Sequence, residues 1–161
     1  MTLSPEVLLW IIVGIVSVSF VFGQVLEYIN LKAMRTDIPA EIASFYDREK
    51  YEKSQRYHKE VMRFSFFTST IGFVGSLLML LLGGFGWVDG LLRTVTENQI
   101  LLALLFFGVL GIASDLLTLP FQWYGTFVIE EKYGFNKTTV KTFITDKLKG
   151  YVLGALIGGG L

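Results

Sequence analysis

Few side chains in this sequence could carry catalytic chemistry. His58 is the single histidine among 161 residues, and there is no cysteine. A catalytic zinc ion needs three protein ligands, commonly two histidines and a carboxylate. A serine triad would have to use His58 as its base, and His58 lies between Tyr57 and Lys59 in a charged segment. The sequence therefore predicts no catalytic, cofactor-binding or metal-binding residue in this chain, and a solvated His58.

Asp115 is the ionisable residue in the most unusual place. It lies inside an otherwise uncharged run, residues 100–119. Such a group in a membrane span costs at least about 2.5 kcal/mol, so it normally faces a partner or water. Three interpretations stay open: Asp115 lines an internal aqueous chamber, it bonds to Ser, Thr or backbone of a neighbouring helix, or it lies close enough to the interface to reach water.

A second polar group directly follows Ile129, the last residue of the apolar sequence that continues beyond residue 119. Glu130, Glu131 and Lys132 are three adjacent charges, and Tyr133, Gly134 and Phe135 predict a compact turn in which Gly134 takes a positive φ. Asn136 is a suitable N-cap for the next helix. The charges form either an ordinary hydrated helix end or a support for a functional site.

Residues 140–151 follow the periodicity of one helix face. The positions on this face are Val140, Phe143, Ile144, Lys147, Leu148 and Tyr151. Thr142, Thr145, Asp146 and Lys149 cover the opposite face. An amphipathic helix of this kind, leading into an apolar run, is typical of a membrane interface.

The elements that must position these residues are membrane helices. The chain is 52% hydrophobic with a mean hydropathy of +0.55, and its apolar residues fall in long blocks. Residues 7–26, 64–88 and 100–119 are each long enough to cross about 30 Å of hydrocarbon. Residues 151–161 cover only about 16 Å. We therefore predict an all-α polytopic membrane domain with three complete spans and the start of a fourth.

The connections between these spans have different characters. Residues 27–63 are polar and basic and predict a long helix that begins at Pro39, with Asp37 as its cap, and runs into the second span. Residues 89–99 are a short polar connection. After the third span, apolar character continues past Pro120 to Ile129, which predicts one long kinked helix.

The orientation in the membrane follows from the basic residues. The loop between the first two spans contains eight Lys or Arg, the next loop contains one, and the segment after the third span contains five. The positive-inside rule predicts an external N-terminus and two cytoplasmic basic segments. The formal net charge is zero, so no nucleic-acid partner is indicated.

Two blocks of sequence resemble a known family. EEKYGFNKTTVKTFITDKLKG, residues 130–150, is similar to the segment after the third membrane helix of CAAX prenyl proteases. DREKYEKSQRYHKEVMRF, residues 47–64, is similar to the first cytoplasmic loop of the same family. The order and spacing of the blocks also fit. The HExxH motif of these zinc metalloendopeptidases, which have seven membrane helices, has no counterpart here.

The resemblance implies a function for the parent protein. We expect residues 1–161 to be the N-terminal transmembrane domain of a CAAX-type zinc metalloprotease, truncated before the catalytic domain. This domain would form chamber walls for proteolysis near the membrane and would not be catalytic alone. Zinc is expected in the remaining catalytic portion, which is the domain's partner together with the lipid bilayer. The expected substrate is a peptide or membrane protein, prenylated CAAX peptides in the resembling family, and the expected location is a bacterial inner membrane.

The resemblance also favours one of the two interpretations of the charged residues 130–132. It implies that Glu130, Glu131 and Lys132 support the protease site from the catalytic side of the membrane, as part of the segment that includes Tyr133, Gly134, Asn136 and Lys137. The alternative from another class is a non-enzymatic membrane scaffold or small transporter subunit that is complete at 161 residues.

Overall fold

The described part of the chain is helical throughout its regular structure. The computed structural model describes residues 4–34, 38 and 47–160. Its helices are α1 (Pro5–Ala33), α2 (Arg48–Leu81), α3 (Gly84–Arg93), α4 (Gln99–Tyr124) with a π-helical turn (Gly125–Glu130) directly after it, and α5 (Val140–Gly160). The predicted all-α fold is confirmed. The chain divides into two compact units, Met1–Leu82 and Gly83–Leu161.

Three described helices are long and apolar enough to cross a membrane. They are Pro5–Ala33, Arg48–Leu81 and the continuous helix Gln99–Glu130. The 34 residues of α2 extend over about 51 Å, well beyond the hydrocarbon thickness. Its polar first half therefore projects out of the bilayer, as predicted for the long helix before the second span. The predicted start of that helix, at Pro39 with Asp37 as cap, lies outside the described residues.

Asp47 caps the described start of α2. Its Oδ1 accepts hydrogen bonds from the backbone N–H groups of Glu49 (3.0 Å) and Lys50 (3.3 Å). The backbone hydrogen bond from Lys50 is the main cause that lowers the pKa of the Asp47 carboxyl. A charged carboxylate here satisfies N–H groups that the first helical turn leaves unpaired.

The first unit is held together by contacts between α1 and α2. The Gln24 Nε2 of α1 donates to Ser69 Oγ at 3.2 Å and Thr70 Oγ1 at 3.0 Å on α2. Phe20 and Phe73 stack in parallel, with ring centroids 3.9 Å apart. Lipid is as apolar as the helix surfaces, so packing and interhelical hydrogen bonds of this kind hold membrane helices together.

The end of the second span was predicted wrongly. The prediction placed the span at residues 64–88 and a polar connection at 89–99, but α2 ends at Leu81 and a separate helix occupies Gly84–Arg93. Gly83 between them has φ +71°, a left-handed conformation that ends one helix and begins the next. Continuous apolar sequence did not reveal the break, because α3 is itself largely apolar.

In the second unit, α4 is the element against which the others pack. Val88 and Leu92 of α3 are buried, as is Leu102 in the first turn of α4. The helix continues through Pro120, as predicted, although this residue has no N–H to donate to the preceding turn. It then widens into the π-helical turn, where Ile129 is almost completely buried.

Candidate functional site

The site is built around Asp115 at the contact between α4 and α5. The Asp115 Oδ1 accepts hydrogen bonds from Lys147 Nζ and, at 3.1 Å, from Gln122 Nε2. The Tyr151 hydroxyl donates to Asp115 Oδ2 at 2.5 Å. The carboxylate therefore has three donors, two of them on a helix more than thirty residues away in sequence.

Helical spacing explains why these side chains meet. Asp115, Thr118 and Gln122 recur at i, i+3 and i+7 along one face of α4, and Lys147 and Tyr151 are i, i+4 neighbours on α5. Gln122 Nε2 also donates to Thr118 Oγ1 at 2.9 Å, and the Thr118 hydroxyl donates to the Asp115 carbonyl at 3.1 Å. We call these five residues the Asp115 network.

Aromatic packing beside the network fixes the position of α5. The Phe143 ring of α5 makes edge contacts with Trp123 and Phe127, at centroid distances of 5.7 and 5.6 Å. Trp123 and Phe127 also contact each other at 4.4 Å. Edge-to-face pairs of this kind contribute about 0.5–1.5 kcal/mol each beyond their area burial. They hold the first half of α5 against the end of the long helix.

The structure gives Asp115 a specific partner. One interpretation of the sequence was a hydrogen bond to Ser, Thr or backbone of a neighbouring helix, but the partners on α5 are a lysine and a tyrosine. The ion pair is partly accessible, since the side chains of Lys147 and Asp115 are 24% and 23% exposed. Pairing with Lys147 neutralises the carboxylate, which removes much of the cost of placing it in a membrane helix.

The Asp115 network faces an open cleft of about 510 Å³. The residues that line this cleft are Asp115, Thr138, Phe143, Asp146, Lys147, Gly150 and Tyr151. Apart from Asp115 of α4 and Thr138, the lining residues all belong to α5, and they include the polar Asp146, Lys147 and Tyr151 as well as Phe143 and Gly150. The cleft is large enough for a peptide side chain together with several waters, since one water needs about 10–15 Å³ of accessible cavity volume.

The turn after the long helix has the predicted form. Gly134 has φ +67°, its N–H donates to the Glu131 carbonyl, and the Phe135 N–H donates to the Glu130 carbonyl, both at 2.9 Å. This pair of bonds is a Schellman motif, which ends a helix with a left-handed residue. Tyr133 and Lys132 form the preceding positions, with the Lys132 ammonium 5.3 Å from the Tyr133 ring centroid.

The prediction that Asn136 caps the next helix is wrong. Asn136 Oδ1 accepts from the Thr138 N–H at 2.7 Å, and Asn136 Nδ2 donates to Glu131 Oε2 at 2.9 Å. Its side chain therefore closes a local turn. Thr139 caps α5 instead, because its Oγ1 accepts from the Thr142 N–H at 3.1 Å.

The sequence-predicted residues thus form two neighbouring groups along the chain. Asp115 belongs to the network, whereas Glu131 and Asn136 bond to each other in the Schellman turn, and Lys137 is exposed on the way to α5. Thr138 ends this turn and also lines the cleft. Thr118, Gln122, Lys147 and Tyr151 were not predicted as site residues. A lysine on an otherwise apolar helix face was the available signal for Lys147.

Replacing Gly134 by alanine should destabilise this turn. A residue with a Cβ loses about 1–2 kcal/mol in the left-handed conformation that Gly134 adopts. We expect the melting temperature of the detergent-purified chain to fall. Gly108→Ala is the matched control, because Gly108 lies within α4 with open space around it. If Gly134→Ala melts at the same temperature as the control, the left-handed cap does not stabilise the chain.

The chain is similar to known proteins over most of its length. Residues 27–161 match the family model described as the CAAX prenyl protease N-terminal region with five membrane helices. The probable CAAX prenyl protease 1 of Schizosaccharomyces pombe is 36% identical over 137 residues, which cover 77% of this chain and 29% of that protein. The human CAAX prenyl protease 1 homolog is 34% identical over 125 residues, 73% of this chain and 26% of the relative.

A solved structure extends the similarity to the fold. The crystal structure of S. mikatae Ste24p matches with a TM-score of 0.87 and 30% sequence identity, covering 99% of this chain and 38% of that one. This chain therefore spans roughly a third of the length of these relatives, which are all eukaryotic. They give no support to the bacterial inner membrane expected from the sequence. With the matched family model and the shared helical fold, the chain belongs to the CAAX prenyl protease family as an integral, multi-pass membrane protein that corresponds to the family's N-terminal region.

Proposed function

We propose that this chain is the N-terminal membrane portion of a CAAX-type zinc metalloendopeptidase and forms part of the wall of a substrate chamber. The observation that carries the proposal is the Asp115 network on the wall of the cleft between α4 and α5. Ionisable residues within membrane helices usually face a water-filled cavity or a functional path.

The network gives the wall two properties. The pairing of Asp115 with Lys147 keeps the wall close to neutral, so a peptide is not held by one strong charge. The partly exposed carboxylate and the Tyr151 oxygen remain able to exchange hydrogen bonds with water or with backbone groups of a peptide. These residues would hold and hydrate a substrate, and peptide-bond cleavage would take place elsewhere in the protein.

The residues of this chain do not fit a catalytic zinc ion. His58 is exposed on α2, there is no cysteine, and the described residues contain no cluster of three potential ligands. A catalytic zinc site needs three protein ligands. In this proposal the zinc ion belongs to a catalytic portion of the same polypeptide.

The Schellman turn has a supporting role in this proposal. Glu130, Glu131 and Lys132 end the long helix, and the Glu131–Asn136 hydrogen bond ties the helix end to the connection that leads to α5. The distribution of basic residues supports a cytoplasmic position for this turn and an external N-terminus. The catalytic portion would then meet the turn on the cytoplasmic side. The proposed substrate is a prenylated CAAX peptide or another membrane-associated peptide.

The absence of cysteine allows a direct test of the chamber. In the full-length protein with its other accessible cysteines replaced, Gly150→Cys should react with a membrane-impermeant maleimide, because Gly150 lines the cleft with open space beside it. Val152→Cys, two residues further on an apolar exposed surface, should react at least about tenfold more slowly, since thiols in lipid are not ionised. Saturating peptide substrate should slow the labelling of Gly150→Cys.

Two results would contradict the proposal. The first is equal labelling of both positions, which would show that the cleft is no more hydrated than the lipid-facing surface. The second is a Gly150→Cys labelling rate that substrate leaves unchanged. Lys53→Cys, on the polar half of α2, provides the control for reagent access from the cytoplasmic side.

A further inference from the structure

The short helix α3 presents three different faces. Val88 and Leu92 form the first, which is buried in the second unit where α3 packs on α4. Asp89 and Arg93 form the second, where Arg93 Nε donates to Asp89 Oδ2 at 2.7 Å and Arg93 Nη2 donates to Asp89 Oδ1 at 3.2 Å. The third face carries Trp87 and Leu91, which are 71% and 53% exposed.

The angular order of these faces follows from helical geometry. At 3.6 residues per turn, Trp87 and Leu91 lie next to the buried face, whereas Asp89 and Arg93 lie on its other side. The apolar residues therefore form one continuous arc, of which α4 covers only a part. The polar arc holds one acid and one base that are already paired, so α3 has no net charge.

We propose that α3 lies flat in the lipid headgroup region, with Trp87 and Leu91 inserted into the bilayer and the Asp89–Arg93 pair in water. Helices with a strong polar face and an aromatic residue on the apolar face are suited to this position, and Trp is enriched at membrane–water interfaces. This inference rests on the membrane embedding of the chain and does not depend on the proposed protease function.

The position of α3 beside a membrane-spanning helix indicates that lipid covers the Trp87–Leu91 face. The first turn of α4, which follows α3 after a short connection, exposes Ile100 and Leu101. This turn begins a helix whose length and composition are those of a membrane span, and lipid is the medium that its exposed apolar residues would meet at that depth. The helix α3, which carries Trp87 and Leu91 on its exposed face, belongs to the same unit and packs on α4 through its other apolar face. A bilayer surface would cover both sets of exposed apolar residues at this end of the span.

The charge of α3 adds a second expectation about the lipid. Interfacial helices rich in Lys and Arg are attracted to anionic lipids, whereas a neutral helix binds through buried apolar area alone. Because Asp89 and Arg93 cancel each other, the depth of Trp87 should be the same in vesicles of zwitterionic lipid and in vesicles with anionic lipid.

Fluorescence depth measurements test the proposal directly. The full chain carrying Trp10→Phe and Trp123→Phe keeps Trp87 as its single tryptophan, because the sequence has three. It is reconstituted in phosphatidylcholine vesicles that contain lipids brominated at different acyl positions. Interfacial helices are immersed by about 5–10 Å. Quenching should therefore be greatest for bromines on the part of the lipid acyl chain closest to the headgroup. Iodide in the aqueous phase should remove little of the emission.

A one-residue shift supplies the matched control. In the same background, Trp87→Phe combined with Gly86→Trp moves the indole to the side of α3 that carries Asp89 and Arg93, where nothing lies within 4 Å of a Cβ. This tryptophan should be quenched by iodide and little affected by brominated lipid. If Trp87 itself behaves like the control, its face lies in water and the proposal is wrong. Trp87 emission that neither quencher reaches would show protein cover in place of lipid, and would also overturn it.

Discussion

Asp115→Leu is expected to lower the free energy of unfolding of this chain by about 2–3 kcal/mol. Removing one partner of a fully buried ion pair costs about 3–5 kcal/mol, and the Asp115–Lys147 pair is roughly a quarter exposed, which reduces the penalty. The loss arises because Lys147 is left charged without its partner, and because Gln122 and Tyr151 lose their acceptor. The measurement is the melting temperature, with the denaturant midpoint, in one detergent.

A double variant separates the pair from the packing around it. Lys147→Met should also destabilise the chain, but Asp115→Leu with Lys147→Met should recover most of the loss, because apolar replacement of both partners is often close to neutral. Asp146→Leu is the control. It breaks the exposed pair with Lys149, at 3.6 Å, and should change stability by less than about 1 kcal/mol. Additive losses in the double variant would show that the two residues act independently.

In the full-length protein, the same variants distinguish a packing role of Asp115 from a role in lining the substrate chamber. Asp115→Asn keeps a polar wall and should keep most peptide turnover per folded molecule. Asp115→Leu with Lys147→Met keeps the stability but removes the polar groups from the cleft, so turnover should fall. A double variant with normal stability and normal turnover would make Asp115 a packing residue and would contradict its place in a substrate chamber.

The isolated chain is expected to bind no stoichiometric zinc and to cleave no peptide. One histidine without a cysteine cannot provide the three ligands of a catalytic zinc site. Elemental analysis of the purified chain after zinc loading and gel filtration measures this, and a full-length CAAX prenyl protease treated in the same way is the positive control for both zinc and cleavage. One zinc ion per chain that disappears in His58→Ala would show that this chain contributes a metal ligand.

The sequence by itself determined the fold class, the number of complete spans and the family. Bilayer thickness fixes the length of an apolar helix, so long uncharged runs identify spans without knowledge of their neighbours. The turn at Gly134 could also be predicted from the sequence, because its left-handed backbone conformation favours glycine. The family could be identified from two polar blocks, whose residue types are not explained by the need to enter lipid.

Boundaries that depend on a few backbone angles were predicted less well. The break at Gly83 is invisible in a hydropathy profile, since apolar residues continue on both sides of it. The start of α5 was placed at Asn136, a good capping residue by type, but its side chain bonds to Glu131 and Thr138 and leaves the cap to Thr139. Several capping residues compete within a few positions here, and their hydrogen bonds decide among them.

Only the tertiary structure decided which side of α5 meets α4. The helix face predicted by periodicity does not pack on α4 as a whole. Phe143, Lys147 and Tyr151 contact α4, whereas Ile144 and Leu148 are exposed. In water the most apolar face would turn inward. In a membrane, lipid covers apolar side chains as well as protein does, so the face that turns inward is the one with polar groups that need partners. Asp115 and Lys147 are separated by 32 residues, and their pairing arises from the packing of the two helices.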